Sequence, residues 1–412
     1  MPPANAPIVR EGSRLLMPGM ATAHSHSFHR ALRGRTQRHA TGAASFWSWR
    51  GLMYDLASRL DPDDLYHITR LAYAELAMSG VTAVGEFHYV HHTAGGTPYD
   101  NRLALSESII AAASDVGMRL TLIRTGYLRA GIGETLAPAQ KRFIDPDVDT
   151  ILGDVEALRS QTTADPLVSV SLAAHSVRAV PGEDILRLAA YAHNQEMHFH
   201  MHVAEQQQEV EMCLQEHGRR PVELLHDMGV LNPRFVAVHA TRLTDEEVDM
   251  LGSAGALVCL CRTTEQDLGD GLALIGPLAG AGVRLCIGVD GYASSDAFEE
   301  LRAVEMDERL RTCARHQVAS GGDLLRLATE HSYTAINLAE AGAGDRVVLD
   351  ANDASIAWAD DEYLADTVIF GATPRAVREV TVNGRTIVRD GRHVNYEEIV
   401  QGYQATMRKL YG

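Results

Sequence analysis

Apolar residues recur along this chain in two alternating rhythms. Short runs rich in Val, Leu, Ile and Ala predict strands over 20–26, 81–87, 118–125, 167–173, 197–203, 234–239, 256–261 and 283–289. Between them the apolar spacing lengthens to three and four. Over 62–79, Leu65, Ile68, Leu71, Ala72 and Leu76 share one helical face. The same period predicts helices over 102–116, 183–194, 222–228, 246–253 and 297–311. Several close on glycine (Gly80, Gly117, Gly229, Gly255), which a left-handed C-cap favours. Strand then helix, eight times over, is the pattern of a closed parallel (β/α)8 barrel of the TIM type, an α/β fold. A doubly wound open sheet is the other candidate, but no G-x-G-x-x-G opens any of these units.

The tail has a different pattern. Segments 367–370 and 378–382 read as strands, Asn383-Gly384 as a two-residue hairpin turn, and 385–389 as the returning strand. A helix closes the chain over 397–410. The first nineteen residues read as extended, with Pro18-Gly19 just ahead of barrel strand one. The expected organisation is a barrel over 20–345, a small β module from 1–19 and 346–396, and a C-terminal helix over 397–412. Only twenty-three residues precede His24. The module is therefore expected to be reduced on its N-terminal side, with fewer strands than is usual and an edge open to a partner subunit.

A chain of 412 residues, 46% hydrophobic, can fill such a barrel without disulfide staples. Its formal net charge of −17 argues against nucleic-acid and anionic-membrane partners, which an acidic surface repels. A small anionic substrate needs only a local basic pocket. The cysteines (Cys213, Cys259, Cys261, Cys286, Cys313) form no C-x-x-C pair, which points to a reduced, cytoplasmic setting. The start lacks an apolar signal segment, and the most apolar window, 272–289, holds Pro277 and Arg284, so no membrane span is expected.

The 19 histidines change the picture. His24 and His26 end strand one on one face, so both imidazoles can reach one ion. His198, His200 and His202 alternate on one face of strand five, where barrel interiors are normally apolar. His202 is nearest the C-terminal rim, and His198 lies deepest, in a core role. His175 follows strand four, His239 ends strand six, and Asp290 ends strand eight. A carboxylate closing an apolar strand is costly to bury unless it meets a cation or hydrogen bonds. Two nitrogens from strand one, one from strand five and an oxygen from strand eight would make a N3O metal site with room for water. Glu205, three residues past His202, is placed to ferry the proton of that water.

These residues resemble the amidohydrolase superfamily. His202-Val203-Ala204-Glu205 is similar to its aminohydrolase branch, which uses one metal. Within that branch the chain resembles the formimidoylglutamate deiminases of histidine degradation. The resemblance runs through HSHSFHRALRGRTQ (24–37), FWSWRGLMY (46–54), VGEFHYVHH (84–92), AAHSVRAV (173–180), HFHMHVAEQQQEVEMCL (198–214), VHATRLT (238–244), TTEQDLGDG (263–271) and VNGRTIVRDGRHV (382–394). It implies one divalent metal, zinc by default with iron as the alternative, held by His24, His26, His202 and Asp290. It implies Glu205, His239 and Asp290 as the groups acting on the attacking water, with His175 helping to hold the substrate. It also implies substrate contacts from Arg50, Tyr89, His175 and Arg178, with His29 at a further position near the substrate. The implied reaction converts N-formimino-L-glutamate to N-formyl-L-glutamate and ammonia, in a cytoplasmic homodimer. Two arginine forks suit a dicarboxylate. Arg50 is expected on a loop over the barrel mouth, and Trp47 and Trp49 in simple packing.

Three positions depart from the family: His29 replaces a glutamine, Arg262 a proline, and Gly291-Tyr292 a Ser-His pair. The last two are expected on rim loops, which keeps a related amidine or N-substituted amino acid open as substrate. Two other classes stand beside this one. A deaminase or chlorohydrolase of a purine, pterin or triazine ring would need stacking surfaces more than two arginines. A non-catalytic barrel would be expected to have lost some of these groups.

Overall fold

The computed structural model describes residues 8–38, 45–131 and 133–412. Two strands, β1 (Val9–Glu11) and β2 (Arg14–Pro18), precede the barrel. The barrel strands are β3 (Met20–Ser25), β4 (Val81–His88), β5 (Arg119–Gly126), β6 (Val168–Ser176), β7 (Phe199–Val203), β8 (Phe235–His239), β9 (Leu257–Leu260) and β10 (Arg284–Ile287). After them come β11 (Arg346–Asp350), β12 (Val377–Val382), β13 (Arg385–Arg389) and β14 (Arg392–His393).

Strands β3 to β10 form an eight-stranded parallel sheet in chain order, as the periodicity predicts. The sheet closes just past the end of β10. The His26 amide donates to the Asp290 carbonyl (3.0 Å), and the Asp290 amide donates to the His24 carbonyl (3.1 Å). Closure of the barrel therefore joins the H-x-H segment to Asp290 through the backbone.

Helices cover the outside. Pro62–Met78 starts on an Asp61/Asp64 capping box and buries the predicted face, with Ile68 and Leu76 both 0% exposed. Burial of each such side chain contributes roughly 1.5–3 kcal/mol. The helix Val148–Thr162, capped by Asp147, fills the gap between β5 and β6 that the periodicity leaves without a helix.

Below the site, a segment from Tyr333 to Leu338 packs with small barrel residues such as Ala21, Ala23 and Ala83. The in-facing histidines find their partners on it. His200 Nε2 donates to the Ala335 carbonyl (2.8 Å), and His198 Nδ1 meets Asn337 Oδ1 (3.2 Å). That leaves only His202 of the three directed at the rim chemistry.

The chain ends build a second, six-stranded sheet in the order β1-β2-β11-β12-β13-β14. Asn383 and Gly384 both have positive φ (47° and 77°), which gives the predicted two-residue hairpin between β12 and β13 type I′ geometry. Residues 367–370 are not a strand. They lie in the helix Leu364–Gly371, which buries Leu364, Val368 and Ile369. The β-branched run favours a strand, but the apolar spacing of four and five matches one helical face, and packing there overrides propensity. Among the described residues no helix is long and apolar enough to cross a membrane.

Candidate active site and metal centre

The C-terminal rim of the barrel holds a cluster of buried polar groups. One ligand atom each from His24, His26, His202 and Asp290 lies within 4.8 Å of the others, and all four residues are buried. His24 Nε2 stands 3.1 Å from both His26 Nε2 and His202 Nε2. Asp290 Oδ1 is 3.3 Å from His24 Nε2 and 3.2 Å from His26 Nε2.

The His26 tautomer follows from its partner. Nδ1–H donates to the Phe87 carbonyl (2.8 Å), so Nε2 presents its lone pair inward. The Nδ1 atoms of His24 and His202 find no partner among the described residues. Their rings pack on Phe87, with centroids 4.9 and 4.5 Å away. Burial, then neighbouring imidazoles, holds His24 and His202 well below the ordinary histidine range. His26 is lowered in the same way by burial and His24. All three are therefore neutral near pH 7, the form that ligates metals. Converging lone pairs beside a carboxylate repel one another unless a cation lies between them, so this donor set fits a divalent ion.

The backbone at the rim is also unusual. Ala204, His239, Ala240, Asp290 and Tyr292 all have φ between 48° and 70°. A side-chain-bearing residue in that region costs about 1–3 kcal/mol, and such strain clusters at functional sites. Gly288 makes the close approach possible. A Cβ there would lie 2.7 Å from His24 Cβ and 2.8 Å from Cys261 Sγ. We expect Gly288→Ala to cost about 1–3 kcal/mol by overpacking and to displace His24. Thermal melting and metal analysis of the same sample check this; unchanged metal content would mean that His24 does not move.

Around this cluster lies a pocket with about 520 Å³ of empty space, part of it open solvent. His29, Arg50, Tyr89, His175, Arg178, Glu205 and His239 line it together with His26, His202 and Asp290. His239 is held from behind: Nδ1 donates to Glu265 Oε1 (3.2 Å), while Nε2 lies 3.9 Å from both Glu205 Oε1 and Asp290 Oδ2. Burial disfavours a charged His239, but Glu205, Glu265 and Asp290 outweigh it and push the group up to about 10. Burial raises Glu205 well above the carboxylate range despite the attraction of His239. His175 is kept neutral by burial and by the Arg178 and Arg50 charges.

Arg178 is a buried guanidinium which, among the described residues, has one long bond, to the Tyr127 hydroxyl (3.4 Å), and no carboxylate in ion-pair range. Arg50 lies over the Trp47 and Tyr54 rings and reaches Glu134 only at 3.8 Å. His29 Nε2 meets the Tyr89 hydroxyl at 3.1 Å.

Several expectations need correction. Arg50 is on a helix, Phe46–Ala57, not a loop; a Ser45/Ser48 capping box starts it. Trp49 lines the pocket and sets its ring edge-on to His29 (5.2 Å), so its role is not packing alone. His175 lies inside β6, which runs three residues further than predicted. Arg262 does not face the pocket. It is fully buried, paired with Glu265 and with Asp307 (Nε to Oδ2, 2.7 Å). Tyr292 is also turned away, its hydroxyl 2.9 Å from Ser25 Oγ. Of the three departures, only His29 contacts the pocket.

The supporting residues escaped sequence reasoning. Glu86 accepts from Ser25 Oγ (2.6 Å), the Ser27 amide (2.7 Å) and the Tyr73 hydroxyl (3.0 Å), which pins the H-x-H segment. Phe87 and Glu265 do similar work for the histidine rings. Glu86 and Phe87 lie in the segment 84–92 and Glu265 in 263–271, both noted for resemblance but without a role for these residues.

A family model described as "Amidohydrolase family" matches residues 15–387. The chain is 36% identical to the formimidoylglutamate deiminase of Pseudomonas aeruginosa, over 99% of this chain and 92% of that one. It is 28% identical to 5-methylthioadenosine/S-adenosylhomocysteine deaminase 2 of Archaeoglobus fulgidus, over 97% of this chain and 88% of that one. The crystal structure of an amidohydrolase from Brucella melitensis superposes with a TM-score of 0.90 at 32% identity, covering 98% of this chain and 96% of the other.

Proposed function

From the premise that this chain belongs to the amidohydrolase family, we propose that it is a formimidoylglutamate deiminase, hydrolysing N-formimino-L-glutamate to N-formyl-L-glutamate and ammonia. The observation that carries this reading is the pair of guanidiniums, Arg50 and Arg178, lining the same pocket as the His/Asp cluster. A substrate with two carboxylates supplies the anion that Arg178 lacks and a closer partner than Glu134 for Arg50. The relative of that activity, similar along nearly the whole chain, supports it.

His24, His26, His202 and Asp290 would hold one divalent ion, and neutral imidazoles with a carboxylate suit zinc, or iron. Such an ion, when bound, acidifies water to near neutral pH and polarises the carbon under attack. The chain's own groups do the rest. Asp290 accepts the proton of the attacking water, and His239, fixed by Glu265, orients that water. Glu205 passes the proton to the departing nitrogen, so ammonia leaves neutral. Arg50 and Arg178 clamp the two carboxylates. His175, Tyr89 and His29 line the remaining walls and orient the chain of the substrate.

The test is ammonia release from N-formimino-L-glutamate, compared with guanine, on a sample of known metal content. We expect release from the first only. The alternative, a ring deaminase, draws on the Trp49 and Tyr rings of the pocket and on the nucleoside-deaminase relative. Release from guanine alone would establish that alternative instead. Arg178→Ala should raise KM for the dicarboxylate about 10- to 100-fold, the loss of charge-assisted bonds worth roughly 1.5–3 kcal/mol. A fall in kcat alone would show that Arg178 is no ground-state clamp.

A place in histidine degradation follows from that substrate. A cytoplasmic setting fits the cysteines, which form no disulfide among the described residues. A homodimer is the assembly state we propose, and light scattering of the purified chain tests it.

A further inference from the structure

Arg142 is a buried cation outside the pocket. It ends the short turn Pro138–Arg142 on the connection after β5, and its side chain is fully buried. Every bond its guanidinium makes goes to an uncharged oxygen. Nε donates to the His92 carbonyl (2.8 Å) and Nη2 to the Tyr99 hydroxyl (3.3 Å), both on the connection after β4. Nη1 donates to the carbonyls of Ala57 and Leu60, the latter at 2.7 Å, on the connection after β3. The Arg142 carbonyl accepts from the His91 and His92 amides (2.9 and 3.1 Å). Among the described residues no carboxylate lies in ion-pair range of the guanidinium. A charge buried without a counter-ion is costly, and an apolar side chain would serve better if packing were all that was needed.

These bonds converge on the helix Phe46–Ala57. Ala57 is its last residue, so its carbonyl lies at the negative end of the helix dipole. The helix buries only Met53, Leu56 and Ala57, all in its second half. Arg50, which lines the pocket, sits about two turns further back on the partly buried half. We propose that Arg142 is a positioning residue: its guanidinium anchors the C-terminal end of this helix and so aims Arg50 at a substrate carboxylate. A planar fork of five donors can serve three carbonyls and a hydroxyl at once, which the compact ammonium of lysine cannot. A displacement of about 1 Å that starts far from the chemistry can cost about 100-fold. The aim of Arg50 rests on the function proposed above; the anchoring of the helix does not.

The test measures ammonia release from N-formimino-L-glutamate by the full chain and its variants. Arg142→Met should raise KM at least about 10-fold, with kcat within about threefold and metal content unchanged. In an Arg50→Met chain the same change should move KM less than about twofold, because the group it aims is gone. Arg142→Lys, which keeps the charge but not the fork, should fall between, and it replaces Arg142→Met in this cycle if that variant does not fold. Hydrogen exchange should show amides 54–57 protected in the native chain and exposed in Arg142→Met, with the barrel strands unchanged. Equal KM effects with and without Arg50 overturn the proposal, and so does loss of bound metal in a folded Arg142 variant. Amides 54–57 that exchange freely in the native chain overturn the anchoring, whatever the variants do. A native chain that releases no ammonia overturns the proposed function and the aim of Arg50 together, and exchange still decides the anchoring.

Discussion

Glu205→Gln should lower kcat about 10²- to 10⁴-fold, the range a positioned proton shuttle supplies, with metal content unchanged. Glutamine keeps the shape of the side chain but cannot take up a proton at neutral pH. Glu205 is suited to the role because burial raises its proton affinity and His239 Nε2 lies 3.9 Å away. The Glu205 carboxyl is partly buried, its side chain 14% exposed, and its desolvation also burdens the fold. Replacing it with glutamine should leave the melting temperature unchanged or higher. Loss of turnover with a lower melting temperature and lost metal would point to a structural role. Near-normal turnover would rule out the shuttle.

Metal removal should have the second large effect. Exhaustive dialysis against a chelator should abolish ammonia release, and added zinc should restore it. The apo protein should melt lower, since an ion at 1,000 times its dissociation constant stabilises by about 4.1 kcal/mol. The removed ion otherwise shields His24 Nε2 from His26 Nε2 and His202 Nε2, each 3.1 Å away, and from Asp290 Oδ1 at 3.3 Å. Because burial holds His24, His26 and His202 well below 6.5, they stay neutral through that pH. Metal should therefore be retained below pH 6.5, where exposed histidine sites release theirs. Full activity after chelation, with metal analysis confirming its absence, would overturn the metal reading.

Much of the site was legible because strand chemistry is local. Period two places His24 and His26 on one face, and an apolar run that stops at His239 or just before Asp290 marks the rim of a barrel. Each of these inferences needs only the identity and spacing of neighbours in sequence. What was missed involves partners distant along the chain. Glu265 fixes His239 from 26 residues away. Arg262 reads as a rim substitution, yet it is fully buried and tied to Asp307, 45 residues on. Trp49 reads as packing because an aromatic residue in a helix is ambiguous until the cavity beside it is known.

The sequence by itself determined the barrel, the hairpin at Asn383-Gly384 and the identity of the donors, because periodicity, turn chemistry and ligand type are properties of short segments. Only the tertiary structure decided how the donors meet. Closing the sheet at the Ser25–Asp290 bridge, with Gly288 leaving room for His24, brings strand one against strand eight. It also decided that Arg50 and Arg178 share one pocket and that 367–370 coil into a helix. Those outcomes depend on packing between segments tens to hundreds of residues apart, which no local spacing encodes.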